Sequence, residues 1–308
     1  MNKPGRQKRN VSGILLLDKP RGLGSNAALQ RVKRLFNAAK AGHTGNLDPL
    51  ASGMLPVCLG EATKIAAFLL DADKHYRAEC RLGVTTSTGD TEGDVLTEKP
   101  VPALTPRTIE PVLDMFRGEI QQVPPMYSAL KHRGQPLYKL ARQGLEVERR
   151  PRPVTIKQLT LVSFKDNLLE LDIRCSKGTY IRTLAEDIGM RLGCGAHLTA
   201  LRRLSSTPFN EAGMVGPERL SGAAEQGYGA LDALLLPPDA ALSDWPEVSM
   251  NPDTALYFCR GQAVWIPRAP VGGLLRIYSH EGGPGFLGIG QVLEDGRIAP
   301  KRLIFAEK

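Results

Sequence analysis

The sequence predicts a mixed α/β domain, of α+β class, running to about residue 245 and followed by a small β domain over 246–308. Three observations carry this. Up to about residue 206, short apolar runs alternate with stretches whose apolar residues recur at helical spacing. The last sixty residues instead show short apolar segments cut by Gly and Pro turns, the pattern of a small β-barrel. The chain has 308 residues, and about 150 residues per domain gives two domains.

The elements follow in order. Residues 13–17, Gly-Ile-Leu-Leu-Leu, predict a buried strand that ends at Pro20. Ser25 is placed to cap a helix over 26–37, with Leu29, Val32, Leu35 and Phe36 on its apolar face. Residues 38–53 are rich in Gly, Asn, Asp and Pro and read as loop. A strand at 54–59 and a helix at 61–70 come next. Alternation predicts a strand over 75–82, and 85–93 is a polar loop. Thr105 and Pro106 open a helix to Phe116, as cap and first helical residue. Residues 117–152 are irregular, Pro-rich and basic, with one short helix near 137–143. Residues 155–164 and 168–175 read as an antiparallel pair. A helix over 180–192 and a strand over 197–204 close the run. Residues 213–248 are rich in Gly, Pro and Ala, with a short helix near 231–236. The final strands are expected at 263–266, 274–278, 286–292 and 302–305.

Charge points to an anionic partner. The formal net charge is +8, and it is clustered. Residues 1–43 carry ten Lys or Arg against one acid, Asp18; residues 131–152 carry seven against Glu146 and Glu148. Clusters of this kind suit a phosphate backbone, which Lys and Arg meet by counterion release. Residues 1–10 read as a disordered basic tail. The five cysteines (Cys58, Cys80, Cys175, Cys194, Cys259) form neither a disulfide framework nor a C-x-x-C pair, which fits a reducing cytoplasm. No apolar run reaches the roughly 18 residues of a membrane span. The histidines and cysteines show no metal-ligand spacing, and no phosphate-binding Gly motif is present, so neither metal nor cofactor is expected.

The most informative stretch is Gly42-His-Thr-Gly-Asn-Leu-Asp-Pro-Leu-Ala-Ser-Gly-Met-Leu-Pro56. Three glycines and two prolines fix an unusual backbone path, and Asp48 is the only carboxylate on it. Taken alone, Asp before Pro is a common turn initiator. The stretch, continued through Val57-Cys-Leu-Gly-Glu-Ala-Thr-Lys-Ile65, resembles the catalytic loop of the TruB-type tRNA pseudouridine-55 synthases. Further blocks resemble that family in its order: Gly13–Pro20, Lys74-His-Tyr-Arg-Ala78, Gly83 with Thr86, Asp90 and Gly93, Pro124–Lys131, Ser176–Leu184, and His197-Leu-Thr-Ala-Leu-Arg-Arg203. The likeness is strong over 12–206 and weaker beyond. One departure is Gly24, where many members have Ser or Thr.

The resemblance implies a pseudouridine-synthase fold with a central mixed, largely antiparallel sheet over 11–245 and a PUA-like RNA-binding β-barrel over 246–308. It implies isomerisation of the T-loop uridine of tRNA, without cofactor, by a monomer needing no protein partner. Asp48 would drive glycosidic cleavage, either by covalent attack or by assisting a glycal intermediate, with Arg182 as its partner. A cationic neighbour lowers a carboxyl pKa, so a low Asp48 pKa is expected. Tyr76 would stack on the base and take part in proton transfer at C5. Tyr180 would orient Arg182 or Tyr76, Leu201 would supply an apolar wall, and Asp90 would bond the arginine. His43 would fill the gap left by the flipped base. Lys19 and Pro20 would shape the wall beside the loop. A basic insertion over 124–152, with Lys131, Arg142, Arg149, Arg150 and Arg152, would clamp the RNA. Two rival readings stand beside this one: an RNA chaperone that refolds tRNA with catalysis secondary, and a guide-RNA synthase that works with partner subunits.

Overall fold

The computed structural model describes residues 7–280 and 285–304. Its largest element is an eight-stranded sheet. The strands are β1 (Gly13–Lys19), β2 (Ala41–His43), β3 (Ser52–Leu59), β4 (Lys74–Leu82), β5 (Gly118–Gln122), β6 (Arg152–Lys165), β7 (Leu168–Cys175) and β8 (Ala196–Ser206). The order across the sheet is β1-β3-β8-β4-β7-β6-β5, with β2 paired to β3. Every pairing is antiparallel except β8 with β3, which meet in parallel at Arg202–Ser52 and Arg203–Gly53. The expected mixed, largely antiparallel sheet is therefore present.

The helices α1 (Ser25–Leu35), α2 (Pro106–Asp114) and α3 (Ile181–Arg191), together with the helix Pro217–Gln226 through its Leu220 and Ala223, pack into one core with the sheet. Leu29, Val32, Ile109, Leu113, Leu184 and Ile188 from these helices join Leu15, Leu55, Leu171 and Ile173 from the strands in one core. Alternation sets the faces of β4, where Lys74, Tyr76, Ala78 and Cys80 are buried and the residues between them less so. Burying one such Leu or Ile contributes about 1.5–3 kcal/mol, so the sheet-and-helix core dominates the stability of this part.

The opposite face of β1 and β3 carries Ile14, Leu16, Met54 and Cys58, which pack with Phe286, Ile289 and Ile304 from the end of the chain. There β9 (Glu247–Met250), β10 (Leu274–Ser279), β11 (Phe286–Val292) and β12 (Ile298–Leu303) form a four-stranded sheet in that order. A helix, α4 (Pro252–Cys259), follows β9 and is capped by the Asn251 side chain. It is an addition to the expected run of strands. The strand expected at 263–266 is only a bridge between Val264 and Ile298, and Phe305, at the end of the last expected strand, lies outside the described residues.

Other expectations are corrected. Of the predicted tail, 1–6 lie outside the described residues, but 7–10 are held: Arg9 pairs with Asp232 and exchanges backbone hydrogen bonds with Asn37 and Ala39. The irregular stretch 117–152 contains β5, whose alternating Glu, Ile and Gln make a mostly exposed edge strand with a weak apolar signal. The helix expected at 61–70 is a 3₁₀ turn over 60–64 followed by a short α-helix over 66–70. Ser25 does not cap α1. Gly24 occupies the cap position, and no side chain accepts there.

Candidate active site

The loop between β2 and β3 carries Asp48. Ser25 fixes it, since its hydroxyl accepts from the Leu47 amide at 2.7 Å and donates to the Leu47 carbonyl at 2.8 Å. The residue that looked like a helix cap is thus a peg for the loop. On the far side, Arg203 of β8 donates to the carbonyls of Met54 (2.6 Å) and Asn46 (3.3 Å). Gly53 permits this crossing: its φ is +98°, and a Cβ there would lie 2.2 Å from the Arg203 carbonyl oxygen.

Asp48 faces Arg182 on the first turn of α3, with Oδ2 3.0 Å from Nε. Arg182 is buried, and its other nitrogens donate to the carbonyls of Thr88 (2.9 Å) and Tyr127 (2.7 Å). Its position is therefore set by three separate segments. Asp90 lies behind it, 3.7 Å from Nε, and also accepts from the Thr88 hydroxyl and the Glu92 amide. Asp90 thus closes its own turn and lies within ion-pair distance of Arg182. Gln122 of β5 grips Tyr180, accepting from its amide at 2.7 Å and donating to its carbonyl at 3.0 Å, which fixes the start of α3.

These contacts enclose a cavity of about 270 Å³. Asp48, Tyr76, Tyr180, Arg182 and Leu201 all line it, together with Lys74 and Arg203. Five of the expected site residues, scattered over more than 150 positions of sequence, meet there. An adjoining recess is lined by Asp48, Asp90, Arg182 and Arg142. His43 lies outside the cavity at the end of β2, half-buried, its Nδ1 3.1 Å from the Gly45 carbonyl. Lys19 is fully buried and donates to the carbonyls of Pro20 and Leu23.

The electrostatics correct one expectation. Burial pushes the Asp48 carboxyl above its ordinary value, and the Arg182 guanidinium, which pulls it down, does not fully offset this; Asp90 adds a second upward push. The side chain keeps 41% of its surface open to the cavity, so desolvation is incomplete and the displacement is upward but limited. Burial lowers Lys19 and Lys74 to about 8 each and lowers His43, leaving its imidazole neutral at pH 7. Burial raises the Tyr76 phenol, against the pull of Arg203. Glu186, one turn after Arg182 on α3, is raised to about 7 by burial and by Asp187.

The basic insertion is partly as expected. Lys131, Arg142, Arg150 and Arg152 are exposed, and Arg142 lies 5.7 Å over the Tyr138 ring. Arg149 departs from the group: it donates to the carbonyls of Val147 and Pro124 and pairs with Glu146 at 2.8 Å, so it ties the insertion together. Ser25, Gln122, Lys74 and Arg203 were not singled out as site residues from sequence. A signal existed for two of them: Lys74 is two residues from Tyr76, and Arg203 two from Leu201, the spacing that puts strand residues on one face.

Comparison with known proteins identifies the family. The family model described as TruB family pseudouridylate synthase (N terminal domain) matches residues 33–181. The model for the tRNA pseudouridylate synthase B C-terminal domain matches 182–243, and that for pseudouridine synthase II TruB, C-terminal, matches 246–304. The tRNA pseudouridine synthase B of Coxiella burnetii (strain Dugway 5J108-111) is 55% identical over 98% of this chain and 98% of its own. That of Pseudomonas fluorescens is 56% identical over the same shares. Among solved structures, a chain of an H/ACA RNP bound to a substrate RNA containing 2'-deoxyuridine superposes with a TM-score of 0.72 at 25% identity, covering 96% of this chain and 85% of that one.

Proposed function

Since the chain belongs to the TruB family of pseudouridylate synthases, we propose that Asp48 is its catalytic carboxylate and that the T-loop uridine at position 55 of tRNA is its target. The chain isomerises a uridine of tRNA to pseudouridine. The observation that carries the site assignment is the Asp48–Arg182 pair, 3.0 Å apart at the wall of a cavity that also holds Tyr76, Tyr180 and Leu201.

The reaction must break C1′–N1, turn the uracil ring and join C5 to C1′. Asp48 attacks the sugar or base covalently or assists formation of a glycal, while Arg182 aims the carboxylate and favours its ionised form against the burial that opposes it. Such an oriented pair in a confined cavity supplies most of what the step needs, because positioning and preorganised charge are large contributions to rate. Tyr76 stacks on the base and takes part in proton transfer at C5. Leu201 closes the apolar side, and Tyr180 lies against the pocket beside Arg182.

A base within a folded loop is reached only by flipping it out. His43, neutral and planar at the end of β2, is placed outside the cavity, where it would occupy the vacancy. Arg150, Arg152, Lys131 and Arg142 present exposed positive charge for the RNA backbone, and the C-terminal sheet with its helix serves as a PUA-like RNA-binding unit. Among the described residues no helix is long and apolar enough to cross a membrane; the proposed setting is the cytoplasm, and the proposed working form is a monomer without protein partners.

The test is a pseudouridine map of tRNA after incubation with the wild-type chain and with Asp48→Asn. The variant is expected to bind tRNA and form no pseudouridine. Modification by Asp48→Asn would overturn the assignment, and modification away from the T loop would overturn the target.

A further inference from the structure

Arg203 is among the largest side chains in the protein to be fully buried, at 1% exposure. Its neighbour Arg202 pairs with Asp18, but Arg203 has no ion-pair partner among the described residues. Two of its nitrogens are used: Nε on the Met54 carbonyl and Nη1 on the Asn46 carbonyl, one contact on each side of Asp48 in the chain. The third, Nη2, is buried and has no hydrogen-bond partner of ordinary geometry, while the Tyr76 phenol already feels a hydrogen-bonding pull from the Arg203 guanidinium. A buried, uncompensated cation is costly, and a buried N–H without an acceptor in a native site calls for a role. Across the sheet, Arg203 of β8 is the direct register partner of Tyr76 of β4. Both residues line the cavity.

We propose that Arg203 is a positioning residue for Tyr76: its free Nη2 engages the phenol oxygen as negative charge gathers there, while Nε and Nη1 hold the Asp48 loop in register with it. This rests on the reading of Tyr76 as the group that takes the C5 proton. After C5 has joined C1′, the ring holds a C6=N1 double bond and a hydrogen on C5. Tyr76 gives its hydroxyl proton through solvent to N1 and becomes a phenolate. The C5–H bond then breaks, its electron pair forms C5=C6, the C6=N1 pair returns to N1, and the phenolate takes the proton. Atoms and charge balance, and the phenol is restored. The expensive species is a phenolate in a buried site, and a fixed guanidinium beside it favours that species over the ground state.

The groups bearing on Tyr76 are Arg203 on β8, Cys175 on β7 and Asp48 on the loop. Only Arg203 favours the phenolate. Burial, Cys175 and Asp48 all oppose it. Removing Arg203 therefore takes away the largest favourable influence on the phenolate and leaves Lys74 and Arg182 as the cations lining the cavity.

The experiment is single-turnover pseudouridine formation by full-length Arg203→Gln and Arg203→Lys, on tRNA with protium or deuterium at C5 of the target uridine, across pH. Arg203→Gln is expected to bind tRNA like the wild type and to react roughly 10²-fold more slowly, the scale of a lost proton-transfer contribution. Its C5 isotope effect should rise, its rate should climb into more alkaline solution, and Arg203→Lys should recover part of both. In a Tyr76→Phe background, Arg203→Gln should cost only the part that comes from loosening the Asp48 loop, clearly less than its loss in the wild-type background, and should leave the isotope effect and pH profile unmoved. An unchanged isotope effect and pH profile, or an equal further loss in the Tyr76→Phe background, would reduce Arg203 to a prop for the loop and overturn the proposal. Should Arg203→Gln fail to fold, Arg203→Lys gives the same two readouts in smaller measure. Wild-type turnover by Tyr76→Phe alone would remove the Tyr76 reading itself, a result distinguishable because it does not involve Arg203.

Discussion

The hydroxyl of Ser25 makes both backbone hydrogen bonds that Leu47 has to offer, accepting at 2.7 Å and donating at 2.8 Å. The Asp48 loop is therefore pegged to the first turn of α1 at the residue before Asp48. Ser25→Ala leaves the Leu47 amide and carbonyl unpaired in a buried setting. A loss of about 2 kcal/mol in unfolding free energy is expected, with turnover reduced roughly tenfold or more by misplacement of Asp48. Denaturant unfolding and single-turnover rates check the two parts separately.

Asp48 links stability to pH. Its folded-state pKa is raised, chiefly by burial, so folding favours the protonated form. That contribution is complete below the ordinary carboxylate value and is lost as pH rises through the folded value. Asp48→Asn, which cannot ionise, should gain on the wild type in melting temperature as pH is taken from below 4 to 7. A constant difference across that range would contradict the sign.

Glu186 obeys the same sign over a wider window. Its carboxyl is raised from 4.5 to about 7, first by burial and then by Asp187. Stability from this group is present below about 4.5 and is lost between there and about 7. At about 1.36 kcal/mol per unit the ceiling is roughly 3 kcal/mol, and partial solvent access brings it nearer 1–2 kcal/mol. Glu186→Gln should flatten this part of the pH–stability curve.

Gly53 sits under the Arg203 carbonyl with a left-handed φ. Gly53→Ala meets both strain and a clash with backbone, and should cost about 2–4 kcal/mol. Calorimetry or urea unfolding at a single pH suffices, and a neutral result would mean that the β3–β8 crossing relaxes.

In the basic insertion, Arg150 and Arg152 are exposed, whereas Arg149 is spent on Val147, Pro124 and Glu146. Arg150→Ala and Arg152→Ala should each reduce the salt dependence of tRNA binding by about one counterion. Arg149→Ala should leave the slope unchanged and make the insertion more open to proteolysis. Equal slopes for all three variants would restore Arg149 to the phosphate-binding group.

Much of the sheet was legible because its strands alternate or run apolar between clear turns, as in 13–17, 54–59 and 168–175. The strand β5 was not, since an edge strand of Glu, Ile and Gln buries little and shows little pattern. Of the helices Pro217–Gln226 and Tyr228–Asp232, the first was missed and the second was expected a few residues late, near 231–236, because Gly, Pro and Ala give a weak periodic signal. At the site, Asp48, Tyr76, Arg182, Tyr180 and Leu201 were named through the family resemblance, and they converge on one cavity. The supporting contacts were invisible for a physical reason. Ser25 before an amphipathic run has the local signature of a cap, and only the folded chain brings Leu47 to it. The downward displacement expected for Asp48 considered its partner and left out its desolvation, which is the larger effect.

The parallel crossing of β8 on β3 has a kinetic consequence. β8 is the last of the eight strands to be synthesised, yet it lies between β3 and β4. Until residues 196–206 emerge, the earlier strands are two separate ribbons, each with an unsatisfied inner edge open to mispairing. The insertion of β8 joins contacts distant in the chain, a slow class of event. It also delivers Leu201 and Arg203, so the strand that closes the sheet is the one that completes the cavity wall.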